Sequence, residues 1–223
     1  KYKTYGLSMS PHTLGSSRQH RFNNCKHASA GCIKACLNTT GRGNVYESIQ
    51  VARLARSLTF NLKRDWFINR LDRELHNKTA TAKRNGQIVA FRPNVITDIP
   101  WEDTGLVDNH PDVQWYDYTK DPSRGGLVRP NYWVTFSRSE SNQGACHDVL
   151  ERGGNVAVVF ASCYGQAKTE LPKSYLYRPV IDGDKTDLRF LDMRGVVVGL
   201  KLKASSKESY LKQLESGFPV LTD

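Results

Sequence analysis

Two stretches, Val156-Ala-Val-Val-Phe160 and Val196-Val-Val-Gly-Leu200, are apolar at nearly every consecutive position. A strand with one wet face alternates apolar and polar residues, whereas a continuous run needs cover on both faces, as in a parallel sheet packed between helices. These runs therefore point to an α/β architecture. Shorter β-branched or aromatic runs extend the pattern: Ile88 to Phe91 reaching toward Thr97, Val113 to Thr119, Tyr132 to Ser137 and Tyr177 to Ile181. With a first strand near Tyr5 to Met9, the expectation is six to seven strands.

Helical spacing joins Val45, Ile49 and Ala52, then Phe67, Leu71 and Leu75 after a break near Leu58 to Leu62. Two helices ending near Asn77 are predicted, followed by a polar loop from Thr79 to Gly86. Further helices are predicted from Gly144 to Glu151, stopped by Gly153 and Gly154, and from Lys207 to Glu215, ending at Gly217.

Polar residues gather at the ends of the predicted strands, where ligands sit in α/β sheets and barrels. A full eight-unit barrel takes about 250 residues. The connections from Thr119 to Tyr132 and from Ile181 to Val196 are too short or broken for complete helices. The expected fold is α/β, a partial or degenerate barrel with a cysteine-bearing N-terminal loop. The alternative is an α+β sheet with antiparallel hairpins. A single domain over 1–223 is expected, made of a basic leader (1–44), basic helices (45–84) and a strand-rich body (85–223).

The formal charge of +10 is unevenly placed. Residues 1–84 hold 16 of the 32 lysines and arginines but only four acids, Glu47, Asp65, Asp72 and Glu74, so the rest of the chain is nearly neutral. Such a concentration attracts polyanions in a salt-dependent way. Nucleic acid is the expected partner, with Lys26, Arg42, Arg53, Arg56, Lys63, Arg64 and Arg70 as contact candidates. Arg73 shares the outward helical positions. The competing reading is a solvated basic face with no partner. No run approaches the roughly 18 apolar residues of a membrane span, and no segment resembles a signal peptide. A reducing cytoplasm is therefore expected.

There, clustered cysteines bind metal more often than they pair. Cys25, Cys32 and Cys36 stand in a C-x6-C-x3-C pattern. Three thiolates suit zinc or an iron–sulfur cluster. Zinc modules usually open with two cysteines two to four residues apart and close with a second such pair, whereas here the count stops at three. A fourth ligand would come from His27, Cys146, Cys163 or outside the chain, with Cys146 read as packing. Three thiols buried for packing alone is the competing reading.

An acidic set lies at or just after the strand ends: Asp98, Glu102, Asp117, Glu140, Asp182, Asp184, Asp187 and Asp192. Converging carboxylates hold Mg²⁺ or Mn²⁺ for phosphodiester hydrolysis, or bind the amine and hydroxyls of a cofactor. Singly, such residues serve as caps and turns. Asp98 and Glu140 are the catalytic candidates, and Asp117 and Ser137 the cofactor-binding candidates.

The stretches Tyr5-Gly-Leu-Ser8, Gly31 to Gly43, Asp98-Ile-Pro-Trp-Glu102, Tyr116-Asp-Tyr-Thr-Lys120, Asn131 to Ser137, Asn155 to Phe160 and Asp182-Gly-Asp184 together resemble the bacteriophage "gene product 88" family. The resemblance implies a phage protein acting in the host cytoplasm. The three cysteines ahead of a strand-rich α/β chain also distantly resemble radical S-adenosylmethionine enzymes. That likeness implies a [4Fe–4S] cluster at the mouth of a partial barrel, with S-adenosylmethionine as a further cofactor. In that family three and then two residues separate the cysteines, rather than six and three. No Gly-Gly-Glu stretch is present.

The combined expectation is an iron–sulfur phage protein that binds or acts on nucleic acid, with radical S-adenosylmethionine-like chemistry if it is an enzyme. Two alternatives stand beside it: a non-catalytic nucleic-acid-binding module stabilised by zinc or a cluster, and a Mg²⁺-dependent nuclease using the strand-end carboxylates.

Overall fold

In the computed structural model, residues 1–12, 21–39, 45–163 and 170–222 are described. Along the chain they form β1 (Tyr2–Gly6), α1 (Ala30–Lys34), α2 (Glu47–Leu62), α3 (Arg64–Arg84), β2 (Ile88–Arg92), α4 (Leu106–Asn109), β3 (Val113–Thr119), β4 (Val128–Arg129) and β5 (Tyr132–Ser137). Then follow α5 (Gln143–Glu151), β6 (Val156–Ala161), β7 (Ser174–Tyr175), β8 (Arg178–Asp182), β9 (Val197–Lys201), α6 (Lys207–Glu215) and β10 (Val220–Leu221). Packing divides the chain into two compact units. One comprises Lys1–Lys26, Arg42–Asp117 and Val128–Trp133, the other His27–Gly41, Tyr118–Leu127 and Val134–Asp223.

In the first unit, β1, β2 and β3 run parallel, with Tyr2 opposite Ile88 and Val89 opposite Val113. The central residues of β2, Val89, Ala90 and Phe91, are all buried, because α3 packs on this strand. Phe60 of α2 lies 5.5 Å from both Phe67 of α3 and Trp101, and Phe91 meets Trp115 edge-on at 5.0 Å. Met9, Leu75 and Ala82 complete this core. A tight hairpin pairs β4 antiparallel with the start of β5, Val128 opposite Trp133.

In the second unit, β6 is flanked by parallel neighbours. Phe136 of β5 faces Val156, and Val156 also faces Val197 of β9, which in turn pairs parallel with β8. β10 joins β6 beyond β5's reach, at Phe160 and Ala161. The two runs that demanded cover on both faces are β6 and β9, and their residues Val156, Val158, Phe160 and Val197 form one cluster with Phe136, Cys146, Val149 and Leu150. β7 and β8 form a second antiparallel hairpin.

The α/β expectation holds, with mostly parallel strands. Among the described residues the strands of each unit form an open arrangement that does not close on itself. Among the described residues, seven strands of five or more residues match the anticipated count, and β4, β7 and β10 are two-residue additions. The first strand is Tyr2–Gly6 rather than Tyr5 to Met9. Met9 is buried beyond the strand's end, where it serves the core. The polar loop anticipated from Thr79 to Gly86 is helical through Arg84, because Ala82 continues the buried face set by Leu75. No described helix is long and apolar enough to cross a membrane.

Candidate functional site

The basic helices α2 and α3 supply the clearest surface. They meet at Lys63, whose φ of −137° and ψ of 54° break the helix, so α3 starts afresh at Arg64. At 100° per residue, Arg70, Arg73 and Arg84 fall within about 60° of one another, on the side of α3 opposite buried Leu75 and Ala82. All three are exposed. Their bonds are local: Arg70 Nε donates to Glu74 Oε1 at 3.0 Å, Arg73 Nε to the Asn69 carbonyl at 3.3 Å, and an Arg84 nitrogen to Thr81 Oγ1 at 3.2 Å. An exposed i,i+4 pair such as Arg70 with Glu74 is weak enough to be exchanged for a phosphate.

The other predicted contact residues divide by what they touch. Lys26, Lys63 and Arg64 are exposed, although the Arg64 guanidinium also covers the Phe60 ring at 4.7 Å. Arg53 Nε donates to Ser8 Oγ at 3.0 Å and Arg56 to the Ser8 carbonyl at 3.0 Å, so these two tie the chain after β1 to α2. Arg42 lies outside the described residues. Lys83 and Arg84 belong to the same helix but fell in the anticipated loop. The spacing from Arg70 through Arg73 and Asn77 to Arg84 was the signal that could have found them.

The cysteine segment is held by buried polar anchors. In the first unit, Asn24 donates to the Ser10 carbonyl at 2.9 Å and to Ser57 Oγ at 3.2 Å, and its own carbonyl accepts Asp98 N at 2.7 Å. Cys25, next in the chain, is half-buried, with Sγ 3.6 Å from the Ile96 carbonyl. In the second unit, Cys32 sits on α1, where Ser29 is the N-cap and its Oγ accepts Cys32 N at 3.1 Å. Glu140 grips the same turn: Oε1 accepts Gly31 N and Oε2 accepts Ser29 Oγ, each at 2.8 Å. Burial pushes the Glu140 carboxyl up, but these bonds and the Arg138 charge outweigh it and hold the group below its ordinary value.

Cys36 follows α1 and is half-buried. His27 faces Asp121 Oδ2 at 3.4 Å. For Asp121, burial acts upward, but bonds from Ser123 and the His27 and Arg124 charges hold the carboxyl below its usual value. Cys146 is fully buried in the second core, where burial raises its thiol to about 11, in keeping with packing. Cys163 is exposed just past β6. Three thiolates have the right chemistry for zinc or an iron–sulfur cluster, but among the described residues no group of three or more Cys, His, Asp or Glu side chains is placed to hold a metal.

The strand-end carboxylates serve separate local tasks. Asp117 on β3 is fully buried and accepts from Asn94 Nδ2 and from Tyr132 OH, the latter at 3.2 Å. Asn94 is the hub of this network. Its Oδ1 accepts Thr97 Oγ1 at 2.7 Å, Ile99 N at 3.0 Å and Trp101 Nε1 at 3.1 Å, and its Nδ2 also reaches the Ile99 carbonyl at 2.8 Å. That hub went unnoticed because an asparagine after a strand reads as an ordinary turn residue. Asp98 is half-buried, its backbone fixed by Asn24.

Ser137 pairs with Ala157 of β6, and its carbonyl accepts Asn142 Nδ2 at 3.0 Å. Asp182 Oδ1 accepts Asp184 N at 3.0 Å in a turn. Asp184 in turn accepts Lys201 N at 3.0 Å and faces Lys203 Nζ at 3.0 Å. Asp187 accepts from Tyr118 OH at 3.3 Å, and Asp192 faces buried Arg189 at 3.3 Å. Glu102 is half-buried in the turn Trp101–Thr104.

No curated protein matches the chain. No solved structure matches it either. The comparisons do not show the resemblance to radical S-adenosylmethionine enzymes. The family model described as Gene product 88 matches residues 1–216, and the chain belongs to that family.

Proposed function

We propose that this phage protein binds nucleic acid in the host cytoplasm through the outward face of α3, with exposed Lys63 just before its start. The observation that carries the reading is the alignment of Arg70, Arg73 and Arg84 on the side opposite Leu75 and Ala82. Guanidinium groups spaced along a rigid helix match a line of phosphates, and Arg presents a planar fork of donors to each. Arg53 and Arg56 support the surface by fastening α2 beneath it.

The test is fluorescence anisotropy with labelled DNA and RNA oligonucleotides, comparing the protein with a variant carrying Arg70→Ala, Arg73→Ala and Arg84→Ala. Three exposed residues are replaced in a helix that tolerates alanine, so the fold is retained. Affinity for both nucleic acids should fall at least tenfold at low salt, roughly 1.4 kcal/mol or more. Unchanged affinity would remove the reading.

A second reading keeps Cys25, Cys32 and Cys36 as ligands of a [4Fe–4S] cluster or of zinc, supported by three half-buried thiols outside any disulfide within twelve residues of chain. Metal and acid-labile sulfide analysis of anaerobically prepared protein decides it. Protein lacking iron, sulfide and zinc would end it, and with it any cofactor chemistry at that centre.

A further inference from the structure

Trp66 is 57% exposed, whereas Trp101 and Trp115 are completely buried. It lies in the first turn of α3, in the same sector as Arg70, Arg73 and Arg84. The stripe thus reads Trp66, Arg70, Arg73, Asn77, Arg84, a flat indole followed by three cations. From Trp66 to Arg84 it runs about 27 Å at 1.5 Å per residue. Tryptophan, with a broad apolar ring and one N–H, is enriched at interfaces where one side is apolar and the other wet. The cations beside it specify an anionic partner, and Lys63, exposed immediately before α3, adds to them.

A polyanion that also offers flat apolar faces is an unpaired nucleic-acid strand. In a duplex the base faces are stacked on each other, and a Trp on a helix surface meets only the backbone. In a single strand every base has a free π-face, and stacking on an aromatic side chain is tolerant of sequence. We infer that the α3 stripe is a single-strand site in which Trp66 stacks on an unpaired base while Arg70, Arg73 and Arg84 follow the phosphates. This deepens the proposed function and rests on it.

The experiment uses the full chain and four labelled probes: an oligothymidylate of about 12 nucleotides, within the 4–16 typical of small single-strand sites, the corresponding oligouridylate, a strand of the same length with abasic sugars, and a duplex. The unmodified protein should bind the base-bearing strands about tenfold more tightly than the abasic one, as expected from one stacked base. Trp66→Ala should erase that difference and leave duplex affinity unchanged. Trp66→Phe, which keeps a smaller ring, should retain most of it. Emission of the exposed indole should be quenched by oligothymidylate.

Equal binding of abasic and base-bearing strands, or a Trp66→Ala variant that keeps the preference, would overturn the single-strand site. So would an emission change that follows protein concentration and ignores the oligonucleotide, because Trp66 would then seat another copy of the chain. If the arginine variant binds every probe as tightly as the unmodified protein, the proposed function itself fails. If the arginine variant weakens all probes while Trp66→Ala changes none, only the stacking role fails.

Discussion

Single residues decide how rigidly the loops of this protein are held. Asn94 satisfies Thr97, Ile99, Trp101 and Asp117 at once in a buried site. Asn94→Ala would leave a buried indole N–H, a backbone N–H and a carboxylate short of partners. Each such loss costs about 1–3 kcal/mol, so the variant should be destabilised by about 3 kcal/mol or more. Chemical denaturation measures it, and a loss below 1 kcal/mol would mean that water replaces the amide.

At the thiols, burial and exposure set an order of reactivity. Exposed Cys163 should label first with a maleimide at neutral pH, and Cys25, Cys32 and Cys36 more slowly. Cys146, buried and with its thiol raised to about 11, should label only on unfolding. Peptide mapping after brief labelling checks the order. The Cys146 assignment was legible from its position among the apolar residues of a predicted helix. The Asn94 hub was not, because its partners are spread over β3, the loop at Thr97 and Ile99 and the turn at Trp101, and only the folded chain brings them together.

At the scale of elements, α1 depends on a side chain far away in sequence. Glu140 holds its first turn, and the carboxylate form is the one that accepts both bonds. Because the fold holds this group below its ordinary value, the stabilisation is complete at neutral pH. It is lost as pH falls through the ordinary carboxylate range toward the depressed folded value. Glu140→Gln should therefore cost about 1 kcal/mol at pH 7, below the roughly 1.5–3 kcal/mol of a bond to a charged group because the side chain is partly open to water. The difference from the unmodified protein should vanish in acid. A gap that persists unchanged at pH 3 would contradict the anchoring role.

Gly31 is tied to the same contact. A Cβ there would lie 2.7 Å from Glu140 Oε2 and 2.9 Å from Phe218 Cβ, so Gly31→Ala should loosen α1 and speed labelling of Cys32. Neither Glu140 nor Gly31 could be assigned this task from the chain alone. The Ser29 cap is a local signal, but its partner lies more than a hundred positions on. The last two turns of α3 were hidden differently. Lys78 and Thr79 interrupt the large apolar residues, and Ala82 is too small to register as a core position, although it is buried.

For the whole molecule, what could be read in advance follows the strength of the hydrophobic signal. β6 and β9 announced themselves as continuous runs, and the α/β class with mostly parallel strands followed from them. The two-residue strands β4, β7 and β10 carry no such signal, and the open arrangement depends on long-range pairing that a strand count does not reveal. Charge placement was legible because it is additive along the chain. Half of the lysines and arginines in residues 1–84 fall on α2 and α3, and the folded helices sort them into ties to Ser8 at Arg53 and Arg56 and an outward row at Arg70, Arg73 and Arg84.

That row makes a quantitative demand on the salt dependence of binding. For single strands, log K falls against log salt concentration with a slope of roughly −0.7 per phosphate neutralised. Removing Arg70, Arg73 and Arg84 together should reduce the magnitude of that slope by about 2. The direct measurement is anisotropy binding of an oligothymidylate over a salt series for the protein and the triple variant. A flatter slope together with weaker binding is the predicted result, and parallel slopes at equal affinity would contradict nucleic-acid binding through α3.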